Sequence, residues 1–419
     1  MHDTIVTAPG SLGDVNPLLG IACGLQELGR RVMFSAAEPY LPLAERAGLQ
    51  VHPLTSTETF FRMVSNPNIW HPRHGLRVIF DEAVRESLEK HYAWLDANAV
   101  PGKTLLVGHA LDFAGRIYRD RYPQTKLATV VLQPSVLRSL IRPPRVSSYG
   151  WERRVPRGLW RLSYWCADRW IDSLAAGHIN RLRQRLGLAP VKRIIKDWWL
   201  SPDLTLAMFP KWFSIPAQEI PAQMQTLGFP LTDSADFVDP AVEQQLTSIL
   251  ANFDGQRPIV FIPGTAHHHC KSFLTMARDA CTELKLPAIL ISTRSDQVPD
   301  DLPTGIVTAQ YLPFSKLLPH CQAVVHHGGV GTTSQCLAAG IPQIVLPMAF
   351  DQFDNADRVL SLGCGSWLAM RQVTVAKLMR HLQHLLQTSG SSGQIAQRLA
   401  GPRDTSLRAA AKILAHLVP

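Results

Sequence analysis

Val325-His326-His327-Gly328-Gly329-Val330-Gly331-Thr332-Thr333-Ser334-Gln335 brings together the residue types that a bound anion needs. An apolar run ends in glycines, and a helix-compatible run opens directly after them. Glycine lets the backbone come close to a bulky anion. The first N–H groups of a helix, at the positive end of its dipole, receive phosphate oxygens. Thr332 and Thr333 add hydroxyl donors, and His327 can offer an N–H or a positive charge. A P-loop lysine is absent and Gly-x-Gly-x-x-Gly is not matched, which disfavours a simple triphosphatase or a dinucleotide enzyme.

A second turn, Gly10-Ser11-Leu12-Gly13-Asp14-Val15-Asn16-Pro17, closes the first apolar run of the chain. From local sequence alone Asp14 reads as a helix cap. His267-His268-His269-Cys270 suggests a metal, but adjacent side chains diverge and do not easily converge on one ion. A loop or solvated turn is the better reading there, and no metal is expected. His71, Arg73 and His74 sit in a Pro/Gly loop and read as ordinary loop residues.

These turns need strands and helices to hold them. Short apolar runs over 4–8, 31–35, 50–54, 104–107 and 126–132 predict strands, with helices over 17–28, 39–47, 78–98 and 111–122. After a Pro/Gln-rich stretch the rhythm restarts, with strands over 258–262, 288–292, 306–309, 323–325 and 343–346. Alternation of this kind predicts parallel sheets covered on both faces, an α/β fold. A chain of 419 residues exceeds what one core usually organises. The expected division is a first domain over 1–215 with a helical excursion at 134–212, a linker over 216–230, a second domain over 231–395, and a helical tail over 396–419. Two such sheets leave a cleft at their facing carboxyl-end loops.

Composition narrows the partners. Seven scattered cysteines without a C-x-x-C pair argue against a disulfide framework and for a reducing, cytoplasmic setting. Apolar runs fall well short of a bilayer span. The net charge of +9 is concentrated: after Arg138 and before Trp199 there are thirteen Lys and Arg against four Asp and Glu. With Trp199 included, six of the ten tryptophans share that stretch. It suits an anionic membrane face, an acidic and greasy acceptor, or a solvated helical surface with buried tryptophans, and peripheral contact with an inner membrane is one expectation. Nucleic acid is not expected, because no recognition motif accompanies the charge.

The order Tyr311-Leu312-Pro313, His327-Gly328-Gly329, Gly340-Ile341-Pro342, Asp351-Gln352 resembles the donor signature of family-1 glycosyltransferases, which have the GT-B fold of two Rossmann-like domains facing a cleft. The resemblance implies that Tyr311 stacks on the nucleotide base while the Leu312 backbone bonds its edge. It implies that His327, Gly331 and Thr332 hold the diphosphate with the Gly264-Thr265 loop beside them, that Gly13 and Gly329 also bind the donor, that Gln335 faces the ribose, and that Asp351 and Gln352 grip the sugar. It also makes Asp14 the general base of an inverting transfer with no cofactor beyond the nucleotide sugar. The helix start lowers the pKa of that carboxylate, and closure of an apolar cleft raises it.

Further matches, among them Asn66-Pro67-Asn68-Ile69-Trp70, Phe209-Pro210-Lys211-Trp212-Phe213 and Gly228-Phe229-Pro230-Leu231, resemble the rhamnosyltransferases of rhamnolipid synthesis. That implies a 3-(3-hydroxyalkanoyloxy)alkanoate acceptor and a glycolipid biosurfactant. UDP-glucose is the favoured donor, on Gln335 as a partner for a ribose 2′-hydroxyl, and dTDP-rhamnose the alternative. A sugar-nucleotide epimerase, a macrolide- or sterol-type transferase and a non-catalytic nucleotide-sugar binder remain as rival readings.

Overall fold

The computed structural model describes residues 3–71, 74–149, 151–232, 240–264, 270–388, 391–399 and 405–418. The first sheet has seven strands: β1 (Thr4–Ala8), β2 (Val32–Ala37), β3 (Gln50–Thr55), β4 (Leu105–His109), β5 (Leu127–Val131), β6 (Leu204–Ala207) and β7 (Met224–Thr226). Their order is β3-β2-β1-β4-β5-β6-β7. The second has six: β8 (Ile259–Ile262), β9 (Ala288–Ile291), β10 (Ile306–Ala309), β11 (Ala323–His326), β12 (Gln343–Val345) and β13 (Gly365–Trp367), in the order β10-β9-β8-β11-β12-β13. Every pairing is parallel.

The apolar runs become strands because helices cover both sheet faces. β1, β4, β5, β8, β9 and β11 are buried at every residue. β3, carrying Pro53, lies at an edge and buries none of its residues, the place where a strand tolerates proline. In each sheet the chain winds outward in both directions from a central pair, β1 with β4 and β8 with β11. Such a reversal opens a crevice at the strands' carboxyl ends, and both glycine-containing turns lie there.

Several elements differ from expectation. The first helix is Leu12–Glu27, so it starts well before Pro17, which lies inside it. Its start is set by the Ser-x-x-Asp pattern of Ser11 and Asp14, and a proline near a helix start resembles the N1 signal closely enough to displace the expected boundary. The stretch expected as a helical excursion holds a 29-residue helix, Arg157–Arg185, but also β6, and the expected linker supplies the edge strand β7. Both strands, like β13, are only three or four residues long, too short to show a period.

The last helix, Thr405–Leu417, returns to pack on Leu12–Glu27 and places Ala409, Ala410 and Ile413 in the core under β1. Close approach is possible because Gly20 and Gly24 face it. A Cβ on Gly24 would stand 3.1 Å from Leu407 Cα, and one on Gly20 would meet Ser406 Oγ at 2.7 Å. A second tie uses charge. Arg358, almost fully buried, donates to Asp354 Oδ2 at 2.7 Å and to the carbonyls of Phe213 and Ser214. Its guanidinium also lies over the Phe213 ring.

Candidate active site

At the end of β11 the first of two adjacent histidines is structural. His326 Nδ1 accepts the Gly328 N–H at 3.1 Å, which puts its proton on Nε2 toward Gln343 Oε1 at 2.9 Å. That clamp shapes the turn. Gly328 has φ +98°, and a Cβ there would stand 2.6 Å from Val345 Cγ1, so only glycine fits. Gly329 then caps the helix Val330–Ala339, leaving its first N–H groups toward the cleft.

His327 is held between two glycines. A Cβ on Gly264 would reach its Cε1 at 2.8 Å, and one on Gly329 its Nε2 at 2.6 Å. Burial, with His326 alongside, pushes its pKa down to about 3. Of the two roles read from sequence, burial therefore favours the hydrogen bond over the positive charge for His327. Its Nδ1 is buried without a partner.

Tyr311, Gly264, Gly329, Gly331, Thr332, Gln335, Asp351 and Gln352 all line one cavity with His327. Leu312 is fully buried behind it. Thr265 and the His267–His269 run lie outside the described residues. Two side chains are partly committed already. Gln335 Nε2 donates to the Leu231 carbonyl at 2.9 Å, leaving Oε1 as its free function in the cavity wall. Gln352 Oε1 accepts from the N–H groups of Met348 and Ala349, so a sugar could use only its Nε2. Asp351 Oδ2 accepts from Asn355 Nδ2 at 2.7 Å, yet burial raises its pKa to about 7, with Asp14 and Asp354 adding repulsion.

Across the cavity, Asp14 serves as both cap and cleft residue. Its Oδ2 accepts the Ser11 N–H at 3.0 Å. Burial outweighs that bond and raises its pKa to about 6. The opposing influences weighed from sequence are therefore resolved in favour of desolvation. The two helix starts nearly touch: a Cβ on Gly331 would stand 3.9 Å from Gly13 Cα.

β4 contributes residues that sequence did not single out. His109 repeats the device of His326. Its Nδ1 accepts the Leu111 N–H at 3.2 Å, so the proton sits on Nε2, which faces Asp14 Oδ1 at 3.7 Å. Burial pushes His109 down to about 4, so it too is neutral. Behind it Asp112 caps the helix Phe113–Arg121 through the Gly115 N–H and stands 3.7 Å from His91 Nε2. A histidine closing an apolar strand was the available signal, and only the β1–β4 pairing connects it to Asp14.

The cavity has a volume of about 820 Å³. Away from the polar turns its wall is largely apolar, with Phe60, Met63, Ile69, Phe80 and Phe113 from the first sheet's side, although Arg138 and Arg145 also line it. Phe350 reaches across to Trp70, ring centroids 5.7 Å apart, from a left-handed backbone (φ +54°) that a bulky residue rarely adopts. Among the described residues no group of three His, Cys, Asp or Glu is placed to hold a metal.

The description "Erythromycin biosynthesis protein CIII-like, C-terminal domain" matches residues 281–406. An O-mycaminosyltylonolide 6-deoxyallosyltransferase of Streptomyces fradiae is 27% identical over 392 residues, covering 88% of this chain and 85% of that protein. The structure of a glycotransferase of kitacinnamycin superposes with a TM-score of 0.71 at 18% identity over 99% of both chains. That of a spinosyn rhamnosyltransferase complexed with thymidine diphosphate gives 0.66 at 18% identity, over 98% of this chain and 100% of the other. These likenesses, with two doubly wound sheets meeting at a shared cavity, give the chain the GT-B fold and mark it as a glycosyltransferase.

Proposed function

We propose that the chain transfers a hexose, with inversion, from a nucleotide diphosphate sugar to the hydroxyl of a lipid-like acceptor such as a 3-(3-hydroxyalkanoyloxy)alkanoate. The reading is carried by one observation: the amide turn at Gly329–Thr332 and the Asp14 carboxylate line one cavity whose remaining wall is largely apolar. In this reading Asp14 takes the proton of the acceptor hydroxyl as its oxygen bonds to the anomeric carbon. The bond from that carbon to the β-phosphate oxygen breaks, and the nucleotide diphosphate leaves with the electron pair. Its growing charge is met by the N–H groups of the helix Val330–Ala339 and by a neutral N–H of His327. A carboxylate with a pKa near 6 is ionised at neutral pH yet basic enough to accept a proton. His109 Nε2–H orients Asp14 as a positioning residue.

Tyr311 is assigned to the base, Gln335 Oε1 to the ribose, and Asp351 with Gln352 Nε2 to the sugar. Gln335 makes UDP-glucose the first choice of donor. A dTDP-sugar, rhamnose included, is the second, favoured by the thymidine diphosphate held by a structural relative. A polycyclic or macrolide aglycone is the competing acceptor, on the relatives' chemistry. The deciding experiment offers UDP-glucose and dTDP-rhamnose with a hydroxyalkanoyloxyalkanoate and with a macrolide aglycone, products read by mass. Transfer to the aglycone alone overturns the lipid reading. Donor turnover without any acceptor favours an epimerase.

A further inference from the structure

The helix Arg157–Arg185 presents two faces with different tasks. Tyr164, Ala167, Trp170 and Ile171 line the cavity. The opposite side, over its first four turns, carries large apolar side chains in solvent. Leu159 is 53% exposed, Leu162 55% and Trp165 57%, while Trp170, at the junction of the two faces, is 39% exposed. Arg157, Arg161 and Arg169 are exposed among them. The carboxylates of this helix point elsewhere: Asp168 is buried on Arg138, and Asp172 accepts the backbone N–H groups of Arg193 and Ile194. The stripe is therefore cationic, aromatic and aliphatic at three- and four-residue spacing.

We propose that this face docks on an anionic phospholipid bilayer, lying in the plane of the interface with the arginines on the headgroups and Leu159, Leu162 and Trp165 below them. Charge selects this occupant. Arginines outside and tryptophan at the boundary are what an interfacial helix presents, whereas an isologous dimer through the same face would set like charges together. No helix among the described residues is long and apolar enough to cross a membrane, so the contact is peripheral. Because Trp170 belongs to both the exposed stripe and the cavity wall, docking brings the cavity mouth to the lipid surface. A greasy acceptor could then enter without crossing water.

The test is sedimentation of the full chain with vesicles of phosphatidylglycerol and phosphatidylethanolamine, or of phosphatidylcholine alone, with no donor or acceptor present, so the result is independent of the reaction assigned above. Binding is expected to the anionic vesicles, weakening steeply with added salt, and not to the neutral ones. Each arginine is worth roughly fivefold against an anionic surface. The combined Arg157→Gln, Arg161→Gln and Arg169→Gln variant should thus bind about 100-fold more weakly. Leu162→Ser with Trp165→Ser should lose binding while keeping the wild-type melting temperature, since both side chains are exposed. Absence of binding to anionic vesicles, variants that bind like the wild type, or a dimer that Trp165→Ser dissociates would each overturn the proposal.

Discussion

Replacing Asp14 by Asn should make the protein more stable and nearly inactive at once. Asp14 rises from its usual 3.8 to about 6 on folding, chiefly through burial. An acid whose folded pKa is raised holds its proton more tightly when folded. Stability from this group is therefore fully present below the unfolded value and is lost as pH climbs from about 4 through about 6. A rise of about two pH units at roughly 1.4 kcal/mol each sets the cost of the charged form near 3 kcal/mol. The side chain is 27% exposed, which trims that to roughly 2–3 kcal/mol. Asparagine keeps an oxygen for the Ser11 N–H, so the cap survives. The expected outcome is a melting temperature about 3 °C above wild type at pH 8, the gap closing toward pH 4. Over the same range wild-type kcat/KM for transfer should fall about tenfold per pH unit below about 6. The variant should lose about 100-fold to 10,000-fold in kcat, with nucleotide diphosphate affinity little changed. Equal melting curves at pH 8 would refute the desolvation argument, and a variant retaining a tenth of wild-type kcat would remove Asp14 as the base.

Other outcomes follow from the same geometry. His109→Phe removes the N–H that faces Asp14; kcat should drop roughly tenfold or more, and the acid limb of the pH profile should move to higher pH, a shift that loss of packing alone would not produce. His327→Ala should weaken nucleotide diphosphate binding about tenfold by calorimetry. Because burial keeps His327 neutral, wild-type affinity should not sharpen between pH 8 and pH 6 through this residue. Gly264→Ala must place its methyl against the His327 ring from a backbone at φ +101°, and should cost at least as much affinity as His327→Ala. Asp354→Ala leaves the buried Arg358 guanidinium without its carboxylate; a loss of about 3–5 kcal/mol in denaturant unfolding is expected, against a small effect for an exposed pair such as Arg31 with Asp3.

Local rules carried much of this protein. The apolar runs, the glycine turn with its helix, and the tripeptides between Tyr311 and Gln352 announce a doubly wound α/β enzyme that handles a nucleotide diphosphate, because period, turn chemistry and motif order are all properties of neighbouring residues. Ser11 and Asp14 are likewise three residues apart, yet Pro17 drew the expected helix start past them, and Ser11 rather than Asp14 proves to be the N-cap residue. Only the tertiary structure decided what lies far apart in the chain. β1 pairs with β4, and that brings His109 to Asp14. The return of Thr405–Leu417 onto Gly20 and Gly24 depends on two helices almost four hundred residues apart meeting at small side chains. Desolvation was also undecidable beforehand. Whether Asp14 is held down by a helix dipole or lifted by burial, and whether His327 carries charge, depend on how completely two domains exclude water. That is a property of the assembled cavity rather than of any local run of residues.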